Sequence, residues 1–235
     1  MFKDLKKPYL ISEIGINHNG DINIAKKLID ATNATGWDCA KFQKRNPDVC
    51  VPEHQKNVMR DTPWGSMKYI DYKYKVEFEK PEYDIIDKQC KDKGLDWSTS
   101  VWDYDSLDFL LNNYRDVPFI KIPSAINGSY EFLEDACKTG IPILVSLGMS
   151  ELEDCDKIVN LLNKHSSDFC VMHTNSAYPA PNNQLNLSLI PFFIQSIPGI
   201  SFYLMIFITI IISMFSQIGD LFISYLKRKA KVKNT

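Results

Sequence analysis

Short apolar segments alternate with amphipathic segments through the first four fifths of the chain. Apolar runs flanked by Gly or Pro are typical of strands that are buried on both faces. Apolar positions at helical spacing, as at Ile24, Leu28 and Ile29, indicate helices that pack on such strands. The pattern predicts strands at residues 9–15, 39–43, 95–99, 118–122, 141–149 and 169–174, and helices at about 21–34, 82–93, 106–113, 130–139 and 151–164.

This alternation predicts an α/β fold with a parallel sheet. The periodicity fits a closed β/α barrel and an open doubly wound sheet equally well, so the residues alone leave the two open. Residues 44–74 are rich in Pro, Trp, Tyr and charge and interrupt the alternation as an insertion. Lys and Asp alternate evenly around 68–75, which favours a solvated helix or loop face over a surface that stacks on bases.

Polar side chains stand at or just after the C-terminal ends of the predicted strands, where either architecture places its active site. Lys41 and Lys121 lie within otherwise apolar strands, and a buried ammonium group is costly without an anion. The pair therefore predicts a site for a phosphate or carboxylate, against the alternative that each lysine reaches solvent or pairs with an acid. The strand-end residues are Glu13, Lys41, Gln43, Ser100, Lys121, Ser124, Ser146, Asn175 and Tyr178.

Serines follow successive strands at Ser100, Ser124, Ser146 and Ser176. Their hydroxyls can complete an anion cradle together with backbone amides, although helix N-capping explains any one of them equally well. Glu13 is predicted to act as a general base or to orient a water molecule. The alternative, an ion pair with one of the lysines, is compatible with that role because such a carboxylate stays ionised.

Charge, cysteine content and histidine content narrow the classes of function that fit the chain. The net charge of −2 gives no indication of nucleic-acid binding. Six cysteines without a CxxC pair predict reduced, buried thiols in a cytoplasmic domain. His18 and His173 lack a third ligand in the sequence pattern, so structural histidines are favoured over a metal site.

The chain changes character near residue 194. Between His173 and Asp220 there is no Asp, Glu, Lys, Arg or His, and residues 197–219 are long and apolar enough for a membrane span. Five cations follow between Lys227 and Lys233. The sequence therefore predicts a synthase-like domain at 1–193 and a hydrophobic helix with a basic tail at 194–235, which would associate the protein with a membrane.

Several segments of the first part resemble the N-acetylneuraminate (sialic acid) synthase family in sequence, order and spacing. They are SEIGINHNGD, CAKFQ, TPWG, FIKIPS, ILVSLGMS and HTNSAYPAPNNQLNLSLIP, within residues 8–193. The resemblance implies a β/α barrel, here incomplete with about six βα units, and a homodimer. It implies an enzyme that condenses phosphoenolpyruvate with N-acetylmannosamine or a related amino sugar and releases phosphate. It also implies a divalent metal, Mn or Mg, as cofactor.

The resemblance assigns roles to individual positions. Lys41 and Lys121 match lysines that hold phosphoenolpyruvate, and Glu13 matches an acid near the reacting carbon. Gln43 and Tyr178 match contacts to the sugar. Three further positions match polar contacts with phosphoenolpyruvate, although the last is an Asn in other members: Ser124, Ser146 and Ser176. Ser100, also predicted to bind substrate, stands where a Thr is common.

Departures from the family pattern affect the acceptor and the metal. Ile126 stands where a sugar-binding Glu is usual, so the identity of the acceptor is open. The histidines that bind metal in the family belong to strands seven and eight, whose sequence block is absent, and His18 and His173 do not replace them. We therefore expect no metal ligands here and weak or no activity of the chain by itself.

The C-terminal 40 residues resemble part of the signature of phosphatidate cytidylyltransferase, an integral membrane enzyme. The matching positions are Ser224, Lys227, Arg228 and Lys233. This resemblance implies no cytidylyltransferase activity, because the part that would bind metal and nucleotide does not appear. Two alternatives to a synthase follow: a non-catalytic, membrane-associated binding module, and a fusion product.

Overall fold

The computed structural model describes residues 1–166, 168–177 and 179–186. Contacts divide the chain into two units, Met1–Thr174 and Asn175–Thr235. In the second unit, a 3-10 turn spans Asn182–Gln184, and the Asn175 side-chain amide donates to the Gln184 carbonyl at 2.7 Å. The elements of the first unit are β1 (Ile11–Gly15), α1 (Ile22–Ala34), β2 (Cys39–Lys44), α2 (Pro47–Cys50), α3 (Glu53–Lys56), β3 (Met59–Thr62), β4 (Gly65–Lys68), α4 (Tyr69–Val76), α5 (Lys80–Lys93), β5 (Asp96–Val101), α6 (Tyr104–Asn113), β6 (Ile120–Ile122), α7 (Tyr130–Lys138), β7 (Ile143–Ser146), α8 (Leu152–His165) and β8 (Phe169–Met172).

Six of the strands form one parallel sheet in the order β1-β2-β5-β6-β7-β8. This order follows the chain without reversal, whereas a doubly wound sheet reverses direction at a switch point. The sheet therefore has the strand sequence of a β/α barrel, and the alternative that the periodicity left open is excluded for the described strands. The β3–β4 hairpin is a separate antiparallel pair within the insertion.

The main core lies between the sheet and the helices. Phe42 on β2, Ile120 on β6 and Val145 on β7 belong to one buried cluster with helix residues such as Ile86 and Ile158. All five side chains are fully buried. Each such side chain contributes ~1.5–3 kcal/mol through removal from water. These residues occupy the predicted apolar runs, which explains why the runs lack the polar alternation of a half-exposed strand.

A smaller apolar cluster fills the opposite face of the sheet at its N-terminal end. Cys39, Phe119 and Leu144 form its buried part, and the rings of Phe2 and Tyr9 lie 5.8 and 6.4 Å from that of Phe119. Side chains alternate along a strand, so the residue two positions later on each strand lies on the same face, one layer nearer the C-terminal end. Those residues are Lys41, Lys121 and Ser146.

Several helices begin where capping residues place them. Asp21 accepts from the Asn23 amide at 2.7 Å and starts α1, as predicted. Helix α6 was predicted to begin at Ser106, but it begins at Tyr104 because Asp103 and Ser106 form a reciprocal capping box. Ser106 is therefore a residue within the first turn of α6 and not the residue at which the helix begins.

Two further sequence predictions can be compared with the described residues. The six cysteines are free thiols, as predicted, but the expected burial holds for four of them, since Cys50 and Cys170 are only half-buried. Within residues 1–166, 168–177 and 179–186, no helix combines the length and the apolar character that crossing a membrane requires. The segment for which a span is predicted, 197–219, lies outside the described residues, and so do the domain boundary at 193 and the basic tail.

Candidate active site

Lys41, on β2, is held by two neighbouring strands. Its Nζ lies 2.6 Å from Glu13 Oε2 on β1 and donates to Ser100 Oγ on β5 at 2.9 Å. The lysine side chain is only 4% exposed, whereas that of Glu13 is 58% exposed. The carboxylate thus neutralises a buried ammonium group from one side and faces open space with its other surface. Both sequence interpretations of Glu13, a lysine partner and a reactive acid, are compatible with this placement.

Lys121, on β6, has hydroxyl and carbonyl partners instead of a carboxylate. Its Nζ bonds to Ser146 Oγ on β7 at 2.6 Å and donates to the Ile122 carbonyl at 3.0 Å. The pKa of Lys121 is lowered to about 7, first by burial and then by the charge of Lys41, while the charge of Glu13 opposes the shift. An anion placed here would restore the ammonium form, which is the predicted behaviour of a buried lysine in an anion site.

The two lysines belong to one continuous row of polar groups. Ser100 and Lys121 are paired positions on adjacent strands, so the hydroxyl that binds Lys41 lies beside the strand position of the second lysine. The row runs from Glu13 through Lys41 and Ser100 to Lys121 and Ser146, across five neighbouring strands. Two ammonium groups and two hydroxyls at one sheet edge provide donors for an anion with two negatively charged groups.

Gln43 extends the row at the end of β2. Its Oε1 accepts from Arg45 Nη2 at 3.0 Å, and Arg45 is itself fixed by Glu77, which accepts from the Arg45 amide at 2.9 Å and from Nε at 3.3 Å. Burial raises the pKa of Glu77, and its bonds with Arg45 and the charge of Lys44 oppose the shift. Gln43 is thereby held with its amide nitrogen beside Gly15, where an added Cβ would lie 3.2 Å from Nε2.

Ser124, which follows β6, contacts a residue that the sequence did not single out. Its Oγ lies 3.3 Å from Thr174 Oγ1, and the Gly148 amide donates to the same Thr174 oxygen at 2.8 Å. Thr174 therefore joins the segments that follow β6, β7 and β8. A single Thr carries no periodic signal, and its position as the last residue of the predicted strand 169–174 was the only indication in the sequence.

Two of the predicted site residues do not belong to the first unit, which contains this row. Ser176 belongs to the second unit and is exposed, and Tyr178 lies outside the described residues. Their roles as contacts of phosphoenolpyruvate and of the sugar remain predictions.

His18 is a structural residue, as the sequence favoured. Its ring stacks on Phe78 at 3.9 Å, its Nδ1 accepts from the Gly20 amide at 3.1 Å, and it is 2% exposed. Burial lowers its pKa to about 4, so it is neutral at physiological pH. Among the described residues, no group of three or more His, Cys, Asp or Glu side chains is arranged to hold a metal ion.

A groove of about 830 Å³ lies between the starts of α6 and α7, and none of the residues of the polar row lines it. Trp102, Tyr104 and Tyr130 supply its aromatic walls, and Ile126 contributes to its lining. The position at which the resemblance implies a sugar-binding Glu is thus an apolar part of a groove wall.

Comparison with known proteins shows the family to which this fold belongs. A sequence profile of the NeuB family matches residues 28–198. The chain belongs to the NeuB family. Its relatives include the N-acetylneuraminate-9-phosphate synthases of Drosophila melanogaster and Homo sapiens, which are 31% and 28% identical over 82% of this chain.

A solved NeuB-type structure also resembles the chain. The N-acetylneuraminic acid synthetase of Leptospira borgpetersenii, crystallised with citrate, superposes with a TM-score of 0.70 at 25% identity over 79% of this chain and 60% of its own. The chain covers 52% of the Drosophila relative and 53% of the human one, so it spans about half the length of these NeuB-family proteins.

Proposed function

We propose that the polar row is the phosphoenolpyruvate-binding half of a sugar-acid synthase. The observation that carries this proposal is the placement of two buried ammonium groups, on Lys41 of β2 and Lys121 of β6, on either side of strand β5 and each bonded to a serine hydroxyl. Phosphoenolpyruvate carries a phosphate and a carboxylate on one small frame. Its two anionic groups match two buried cations, which are costly when no anion is bound.

The proposed reaction forms one carbon–carbon bond and one carbon–oxygen bond to water, and it breaks the carbon–oxygen bond to phosphate. The methylene carbon of phosphoenolpyruvate attacks the aldehyde carbon of the amino sugar, whose oxygen takes up a proton and becomes a hydroxyl group. Water then adds to the carbon that bears the phosphoryl oxygen and gives up one proton. Inorganic phosphate leaves, and the added hydroxyl group loses its proton as that carbon becomes a ketone. Glu13, half in solvent beside Lys41, is placed to accept the proton of the attacking water. Ser100 and Ser146 hold the lysines, while Ser124 and Ser176 supply further hydroxyl contacts.

The acceptor is proposed to be N-acetylmannosamine or a related amino sugar. Relatives are named for different products: N-acetylneuraminate 9-phosphate for those from Drosophila and human, and N,N'-diacetyllegionaminic acid for one from Campylobacter jejuni at 29% identity. Gln43 and Tyr178 are the proposed sugar contacts, and the apolar side chain of Ile126 favours an acceptor that presents no hydroxyl at that point.

A divalent metal, Mn or Mg, is expected for the family and stays a proposal for this protein. The described residues do not fit one, because His18 is buried against Phe78 with Nδ1 already engaged and no other suitable group is present among them. No step of the proposed reaction is therefore assigned to a metal through these residues.

Phosphate release tests the proposal directly. The chain is incubated with phosphoenolpyruvate and N-acetylmannosamine, with and without manganese, beside the Leptospira synthetase. We expect acceptor-dependent release that is slower than that of the longer relative, and further loss in Glu13→Gln while binding of phosphoenolpyruvate persists. Glu13→Gln activity equal to that of the original chain would remove Glu13 from the mechanism. Release as fast as that of the longer relative would contradict the expected impairment.

A membrane-associated binding module is the second candidate, favoured by the apolar segment 197–219 and the cations that follow it. In that case the protein binds phosphoenolpyruvate without turnover and fractionates with membranes. Binding at Lys121 without acceptor-dependent release, together with membrane fractionation, would support the module over the synthase. The resemblance of the last 40 residues to a phosphatidate cytidylyltransferase stays a prediction.

A further inference from the structure

Asn127 connects the segment that follows β6 with the segment that follows β7. Its Nδ2 donates to the Ser146 carbonyl at 2.7 Å, to Ser150 Oγ at 3.0 Å and to the Gly148 carbonyl at 3.3 Å. The residue is 7% exposed. One buried amide nitrogen therefore contacts three oxygens at the end of β7 and in the loop that follows it.

The orientation of this amide is fixed by its partners. Two of the three partners are backbone carbonyls, which only accept hydrogen bonds, so the nitrogen must face them. The Oδ1 atom is buried and has no hydrogen-bond partner within the described residues. A buried polar oxygen without a partner costs free energy, and the side chain retains this arrangement because its nitrogen side is fully engaged.

The loop that Asn127 holds carries a site residue and a strained turn. Ser146 presents its carbonyl to Asn127 and its hydroxyl to Lys121 at 2.6 Å. Met149, three residues later, has a φ of +61°, a conformation that side-chain-bearing residues adopt only when their surroundings impose it. Gly148, between them, is held on its amide side by Thr174.

We propose that Asn127 is a positioning residue of the anion site: it fixes Ser146 so that the hydroxyl of Ser146 orients Lys121 for phosphoenolpyruvate. This inference rests on the proposed function and adds a residue to it. Asn127 acts through Ser146 and does not touch the ligand. A residue that merely stabilises the loop would change the free energy of unfolding without changing how Lys121 titrates or how tightly the ligand binds.

The test is calorimetric binding of phosphoenolpyruvate to the full chain from pH 6 to 9. Loss of the Asn127 amide is expected to weaken binding about 5- to 10-fold, the equivalent of one hydrogen bond, and to shift the pH midpoint of binding. Asn127→Ala, Asn127→Ser and Asn127→Asp are compared, so that a variant that does not fold leaves others to measure. Ser146→Ala is the positive control and should weaken binding to a similar extent.

Two control variants separate positioning from stability. Ser150→Ala removes one bond of the network and leaves the Ser146 carbonyl engaged, and Thr32→Val removes a buried hydroxyl that donates within α1 at 2.8 Å. Both should leave the affinity within about twofold of the original chain, even where the Thr32→Val change lowers the melting temperature as much as Asn127→Ala does. If the Asn127 variants bind normally while Ser146→Ala does not, the positioning role is wrong. If the unaltered chain does not bind phosphoenolpyruvate, the proposed function itself fails.

Discussion

Lys41 and Lys121 are buried to a similar degree but have different partners. Lys41 is paired with a carboxylate, whereas Lys121 is bonded to a hydroxyl and a carbonyl. Burial and then the charge of Lys41 lower the pKa of Lys121, and its neutral partners compensate a buried charge less well than an anion would. The second lysine is thus the one whose charge an incoming anion stabilises most.

The titration of Lys121 predicts how stability depends on pH. Its pKa is about 10.5 in the unfolded chain and about 7 in the folded protein. A lowered lysine pKa destabilises the fold fully below about pH 7, and this cost is relieved as pH rises toward 10.5. Relative to Lys121→Met, the original chain should therefore gain stability between pH 7 and 9.5, by at most about 1.4 kcal/mol per pH unit. Urea unfolding of both proteins at the two pH values measures the difference, and a gap that stays constant would refute the assignment.

Among individual residues, the sequence identified those whose type is unusual at their position and missed those whose type is common there. Lys41 and Lys121 were recognisable because a charged residue inside an apolar strand is unusual. Thr174 and Asn127 were not singled out for the site, because a hydroxyl or an amide in a loop is common and only its partners show what it does.

Loops that follow the strands are held by contacts with neighbouring elements. The loop between β1 and α1 packs against the end of α4, where a Cβ added at Gly20 would lie 2.1 Å from the Lys75 carbonyl oxygen. His18 in the same loop stacks on Phe78 just beyond α4. The insertion therefore supports the loop that follows Glu13. The sequence marked this insertion as a break in the alternation but did not predict its hairpin or its contact with the first loop, because both depend on tertiary packing.

Replacing Gly20 tests this contact, with Gly36 as a matched control. Both glycines have a left-handed backbone, with φ of +69° and +72°, but nothing lies within 4 Å of a Cβ added at Gly36. Gly36→Ala should cost about 1 kcal/mol from the backbone conformation alone. Gly20→Ala should cost at least about 3 kcal/mol, since the new methyl group also meets a backbone carbonyl. Equal losses in denaturant unfolding would show that the loop does not depend on α4.

Across the molecule, the alternation predicted the six parallel strands and their connecting helices. The alternation did not distinguish a barrel from an open sheet, because both folds have the same pattern of strands and helices. The order of the strands in the sheet distinguishes them. Membership of the NeuB family agrees with that order. The predicted membrane helix and Tyr178 lie outside the described residues, so the sequence remains the basis for both.

Binding of phosphoenolpyruvate to the full chain, measured by titration calorimetry at pH 7, tests the central claim most directly. We predict one binding site whose affinity falls at least about tenfold in Lys121→Met, because the variant lacks one of the two cations that face the anion. Lys88→Met, which removes a largely exposed lysine paired with Asp92 on α5, should bind as the original chain does. No binding by the original chain, or equal binding by Lys121→Met, would contradict the assignment of the polar row as the phosphoenolpyruvate site.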